Sequence, residues 1–283
     1  MSNVQVRLLV FFIGLPILLA IVVVFDEPYH IGFNLLAIVT SAICTVEAAS
    51  LFAQKAENYQ IHGIGLPLLG TVLPISAFLA VAGIYSIELQ LGILAIATMA
   101  TLGVEAFRKD PNEFSDILPH TTTTLVLLLY PGLFIAYAVR LTALPQATAL
   151  VLVFLCAVYL NDSLAYATGM LFGRHSRSIL AVSPNKTLIG FIGGFVMSPA
   201  TIFAASAFRP DLFPGGPVRH LVIGCTVGLA VILGDLAESA LKRSATIKDS
   251  GAVIPGRGGL LDSVDSALFA APVYYYLYQI LYL

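Results

Sequence analysis

Charge is scarce in this chain. Asp, Glu, Lys and Arg make up 11% of its 283 residues, whereas soluble domains carry roughly 25%. Hydrophobic residues reach 58% and mean hydropathy is +0.93, so a water-soluble fold would expose apolar surface it could not hide. A formal net charge of −2 leaves no basic footprint, which excludes nucleic acid as a partner. Cysteine is sparse as well. Cys44, Cys156 and Cys225 each lie inside an apolar run, far apart and without CxxC or metal-ligand spacing, so they read as packing residues. His30, His62, His120, His175 and His220 form no HxxxH pair, and a zinc site is not expected. The glycine-rich Gly-x4-Gly-Lys-Ser/Thr loop of P-loop ATPases is missing too.

Long apolar runs are what the sequence has in quantity. A helix needs about 20 predominantly apolar residues to span a bilayer, and nine stretches qualify: 8–25, 31–53, 63–83, 87–106, 117–138, 145–168, 187–207, 218–240 and 264–282. The expected fold is all-α, a polytopic integral membrane helical bundle of nine transmembrane helices. Residues 1–140 would supply N-terminal membrane-spanning helices and 141–283 a C-terminal membrane-embedded catalytic region of the same bundle. The first run is too long for a signal peptide and ends in Asp26-Glu27-Pro28 rather than a small-residue cleavage site. With nine spans, one side holds Arg7, Lys55, Arg108, Lys109, Arg174, Arg177, Lys186, Lys242, Arg243, Lys248 and Arg257. The other holds only Arg140, Arg209 and Arg219. This asymmetry predicts that the richly basic side is cytoplasmic.

Acids inside apolar runs are costly and point to function. Asp162, Asp235 and Glu238 lie late in the sixth and eighth runs, and Asp265 opens the ninth; all fall at the predicted cytoplasmic ends. Glu47 and Glu105 fall late in the second and fourth, where capping or snorkelling is an equal reading. The segment from Gly234 reads GDLAESALKRSATIKDSGAVIPGRGGLLDSVDS. In it Asp235, Glu238, Ser239 and Lys242 share one helix face, Lys248-Asp249 follow, and a turn on Pro255-Gly256 and Gly258-Gly259 leads to Asp262 and Asp265. Paired carboxylates beside several cations suit a divalent metal with a polyphosphate, and hard oxygen ligands select Mg²⁺. A second polar cluster contains Asn161, Asp162, Ser163 and Tyr166, then Ser183-Pro184-Asn185-Lys186-Thr187 before Gly190, Gly193 and Gly194. Lys186 and Thr187 would sit at a helix N-terminus, which favours an anion, while the glycines alone read as close helix packing.

Together these clusters resemble the phosphatidate cytidylyltransferase (CDP-diacylglycerol synthase) family over residues 159–276. Ser239-x-x-Lys242-Arg243, Lys248-Asp249 and Pro255-Gly256-x-Gly258-Gly259-x-x-Asp262-x-x-Asp265 are similar to its C-terminal signature. SPNKTLIGFIGG resembles its SPKKTWEGFIGG, and NDSLAYATG its Asp-x-x-Ala-Tyr-x-x-Gly segment. The resemblance implies transfer of CMP from CTP to phosphatidic acid, with Mg²⁺ as cofactor; a monovalent cation and a homodimer are compatible with it. It further implies catalytic roles for Asp235, Asp249 and Asp262, and metal contacts for Asp235, Glu238, Asp262 and Asp265. Substrate contacts are implied for Asn161, Asp162, Ser183, Lys186, Thr187, Ser239, Lys242, Arg243, Lys248, Arg257, Gly258 and Gly259. Three departures stand out. Leu188-Ile189 replaces the family's Trp-Glu, Arg257 its His, and Ser263 an Arg. They bear on the lipid acceptor, for which a polyprenyl substrate or a CTP-dependent kinase is the alternative, as is a catalytically inactive paralogue. A transporter is disfavoured because no internal repeat is found and the polar groups gather at one end.

Overall fold

A computed structural model describes residues 3–53, 65–173, 180–254, 256 and 258–283. Every extended element among them is helical: α1 (Asn3–Val24), α2 (Ile31–Ala53), α3 (Gly65–Val81), α4 (Leu89–Glu105), α5 (Ile117–Leu127), α6 (Phe134–Leu141), α7 (Ala147–Phe172), α8 (Leu188–Phe208), α9 (Pro217–Ser244) and α10 (Leu261–Tyr282). A 3-10 turn (Pro111–Asp116) leads into α5, and a π-helical turn (Leu128–Leu133) joins α5 to α6. All nine runs expected from the sequence fall on helix, the fifth being shared by α5, the π turn and α6. Among the described residues, five stretches are long and apolar enough to cross a membrane: Ile31–Ala53, Phe114–Leu141, Ala147–Phe172, Leu188–Phe208 and Pro217–Ser244. Shorter apolar helices cover Gly65–Val81 and Leu89–Glu105. Exposed apolar side chains such as Val39 on α2, Val196 on α8 and Leu229 on α9 form surface that lipid, not water, covers. The protein is an integral membrane protein.

The chain divides into two compact units, Met1–Ala143 with Asp249–Leu261, and Leu144–Lys248 with Asp262–Leu283. In the first, Pro131 lies in the π turn, where its missing N–H disturbs the helical ladder and frees carbonyls for other donors. Ser41 Oγ of α2 lies 2.8 Å from both the Pro131 carbonyl and the Gly70 carbonyl of α3. One buried hydroxyl thus ties three segments. Asn34, fully buried, donates from Nδ2 to the Tyr29 carbonyl and to Thr142 Oγ1.

In the second unit, α7 and α8 approach closely. A Cβ at Gly193 would strike Thr168, and one at Gly194 would strike Asn161, so small residues set the helix spacing. Asn161 Nδ2 donates to Ser198 Oγ at 2.9 Å across this contact. Gly234 of α9 lies against the Asp265 carbonyl of α10. Tyr274, Tyr278 and Tyr282 line one face of α10 at four-residue spacing. Tyr274 donates to the Leu150 carbonyl of α7 at 3.4 Å, and Tyr278 to the Leu212 carbonyl at 2.8 Å. Consecutive rings of this ladder lie 6.4 Å and 5.3 Å apart, at 27° and 33°. Phe213 and His220 close that end of the unit against Tyr282.

A candidate active site of carboxylates and lysines

Five carboxylates from three helices of the second unit gather around two lysines. Asp162 is on α7, Asp235 and Glu238 on α9, and Asp262 and Asp265 on α10. The helical period places Asp235, Glu238 and Lys242 on one face of α9, and the first turn of α10 presents Asp262 and Asp265 together. Lys242 Nζ forms ion pairs with Glu238 one turn back and with Asp262, the latter at 2.5 Å. Lys186, just before α8, pairs with Asp235. Ser266 Oγ donates to Asp162 Oδ1 at 3.3 Å, and its backbone N–H donates to Asp265 Oδ1 at 2.6 Å. The α8 turn that presents Lys186 is built locally. Thr187 is the helix N-cap and accepts from the Gly190 N–H at 3.2 Å, while the Lys186 N–H donates to the Ser183 carbonyl. Arg243 Nε contacts the Val182 carbonyl at 3.4 Å, joining the end of α9 to this segment.

The electrostatics are lopsided. Burial lowers the Lys186 pKa below its ordinary value, and the charges of Asp265, Asp162 and Glu238 oppose that shift. Glu238 is fully buried and, apart from its ion pair, neither of its oxygens accepts a directed hydrogen bond. A buried carboxylate left in this state is costly, a cost that a cation bound among these acids would offset. No group of three or more His, Cys, Asp or Glu side chains forms a ready cage for a metal among the described residues.

The expected site residues therefore separate. Asp162, Lys186, Asp235, Glu238, Lys242, Asp262 and Asp265 come together in one network, with Ser183, Thr187 and Arg243 shaping its edge. Ser239 follows Glu238 on α9, half-exposed, and Lys248 is exposed beyond the helix. Asn161 is buried in the α7–α8 contact. Asp249, Gly258 and Gly259 belong to the returning loop of the first unit, and Arg257 lies outside the described residues. In that loop Gly258 adopts φ +110°, a conformation that favours glycine, and pairs with Ile254 through two backbone hydrogen bonds. Sequence reasoning left the role of Glu47 open. It is buried in α2, where Oε1 accepts from the Leu260 N–H at 2.9 Å and Oε2 from the Leu261 N–H at 2.7 Å. Ser250 Oγ donates to Oε2 at 3.3 Å.

The model of one family, described as "Cytidylyltransferase family", matches residues 5–281. The chain belongs to the cytidylyltransferase family. An uncharacterized protein of Escherichia coli, YnbB, is 40% identical over 148 residues, covering 50% of this chain and 48% of that protein. A phosphatidate cytidylyltransferase of Thermotoga maritima is 35% identical over 176 residues, 61% of this chain and 63% of the relative. One from Bacillus subtilis is 36% identical over 222 residues, 76% and 77% of the two chains. The matched stretch thus spans about half of the first relative's length and under two thirds of the second's. The family match takes in both units, so the first five apolar runs, which resemble the family by hydropathy alone, lie inside it.

Proposed function

We propose that this cytidylyltransferase-family protein transfers CMP from CTP to phosphatidic acid, releasing pyrophosphate and leaving CDP-diacylglycerol in the membrane. The carrying observation is the network of five carboxylates and two lysines, partly buried and partly open, at the end of an apolar helix cluster, a polar site suited to a lipid headgroup. In the reaction a phosphate oxygen of the lipid bonds to the α-phosphorus of CTP as the bond to the β-phosphate bridging oxygen breaks. The attacking oxygen is already anionic, so no strong general base is needed. The requirement is charge neutralisation and in-line alignment. Lys186 and Lys242 are the cations in the network able to exchange a carboxylate for a phosphate.

The donor set fits Mg²⁺, which usually takes one or two carboxylates and completes its shell with water and substrate phosphate; no preformed cage is required. Asp235, Glu238, Asp262 and Asp265 are the residues that would hold it, and Glu238 has the unsatisfied oxygens. Bound there, the ion would neutralise phosphate charge and help align the leaving group. On a count of nine crossings, the bias of Lys and Arg puts this site on the cytoplasmic side. A Lys248→Cys variant should then be labelled only from the cytoplasmic side by an impermeant thiol reagent, and labelling from outside would reverse the orientation.

A second reading, another lipid acceptor, is favoured by Leu188 and Ile189. Both are exposed at the opening of α8, where the resemblance implies Trp and Glu. Purified protein incubated with labelled CTP, Mg²⁺ and phosphatidic acid should form a CDP-lipid. A labelled product only with a polyprenyl substrate would favour the second reading, and no product with any lipid would remove both.

A further inference from the structure

Glu47 has no cation within a helical turn in the sequence to explain why a carboxylate is buried in an apolar helix. The structure supplies the partners. Its two oxygens accept from the N–H groups of Leu260 and Leu261 and from the Ser250 hydroxyl. Leu261 is the first residue of α10, and the opening N–H groups of a helix have no acceptor within it. Ser250 lies at the other end of the same loop. The carboxylate therefore clasps both ends of the returning segment, Asp249–Leu261. The fit is close: a Cβ on Gly251 or Gly259 would press on the Glu47 carboxylate. Only residues lacking a side chain leave room for the acid.

We infer that Glu47 is a positioning residue for nucleotide binding, fixing the two ends of the first unit's segment that carries Asp249, Gly258 and Gly259. This inference rests on the cytidylyl-transfer reading for its substrate, but the clasp itself does not. Glu47→Gln preserves size and places an N–H₂ donor where one loop donor now finds an acceptor, orphaning a buried N–H. Glu47→Asp keeps the charge but is one methylene short of the loop.

The test combines kinetics with amide exchange on full-length protein in lipid nanodiscs. Glu47→Gln should raise KM for CTP by roughly ten- to a hundredfold, the range expected for losing a charge-assisted hydrogen bond, with the lipid KM unchanged. Glu47→Asp should recover part of this loss. A merely structural role would instead lower the active fraction, reducing kcat and leaving both KM values where they were; that result would overturn the inference. Hydrogen exchange at the Leu260 and Leu261 amides reads the clasp without turnover. Protection in the parent and its loss in Glu47→Gln is the expected result, and unchanged protection would sink the proposal even in a protein inactive toward CTP. Inactivity of the parent with every lipid would count against the cytidylyl-transfer reading, and exchange would still decide the clasp. Finally, Gly251→Ala should cost less in a Glu47→Ala background than alone, because the acid it crowds is gone. Strictly additive losses would place the two residues out of contact.

Discussion

The second unit carries two sets of ion pairs made from the same chemistry and set in opposite surroundings. Arg209 and Asp211 meet in a two-point pair at 3.1 and 2.9 Å, both more than half exposed, with Arg209 also reaching Gln146 Oε1. The pairing pulls the Asp211 pKa down and raises that of Arg209, yet water already solvates both groups, and such pairs are worth little. Glu238 is fully buried and the Lys242 and Asp262 side chains are largely covered, and there one ammonium serves two carboxylates. Better geometry belongs to the exposed pair; unmet demand belongs to the buried set. A protein does not retain excess buried carboxylate for stability, since a well-packed apolar replacement is often as stable or more so. The buried set is thus the place to look for chemistry.

Four tests would break or sharpen this contrast. Asp235→Asn and Asp262→Asn should each abolish CDP-lipid formation while the protein still inserts and purifies, and the double variant should be no worse than either; near-normal turnover in either would remove these acids from the chemistry. Lys242→Met should be next in effect. It strands two buried acids, costing about 3–5 kcal/mol as read by unfolding in detergent, and adding Glu238→Gln should restore part of the stability without restoring activity. Lys186→Arg should act mainly through pH. The Lys186 pKa lies below the ordinary lysine value of 10.5, so its cation is lost earlier as pH rises. Activity should decline on the alkaline side below that value in the parent, and the decline should move upward in Lys186→Arg. An unmoved alkaline limb would show that another group sets it. Smallest of all, Asp211→Asn should leave turnover nearly unchanged despite breaking the better-formed pair.

The two regions also differ in how far the sequence disclosed them. Asp162, Asp235, Glu238 and Asp265 were legible because ionisable residues in apolar runs are expensive and helical spacing gathers them. Lys186 was legible through its place before a glycine-rich helix, although its pairing with Asp235 requires the tertiary fold. Glu47 was visible only as an oddity. Its partners lie 203 to 214 residues away, and two of them are backbone N–H groups, which leave no mark on side-chain identity. Asn161 is a substrate contact only by what the resemblance implies; successive helical residues point in different directions, and in the structure Asn161 lies in the α7–α8 seam, where it donates to Ser198. Helix positions followed well from hydropathy. The number of crossings did not follow as directly, since α4 has only 17 residues, at the short limit for a span.

The tyrosine ladder of α10 has an optical consequence. The chain contains no tryptophan, so its near-ultraviolet emission comes from tyrosine alone. Rings stacked at the separations seen along Tyr274, Tyr278 and Tyr282 pass excitation among themselves before emitting, and behave as one chromophore fixed to the helix that opens with Asp262 and Asp265. A Leu188→Trp substitution would add the chain's single red-shifted emitter at the mouth of α8. Light absorbed by the tyrosines and emitted by that indole would then report rearrangement around the opening of α8 as nucleotide and lipid are added.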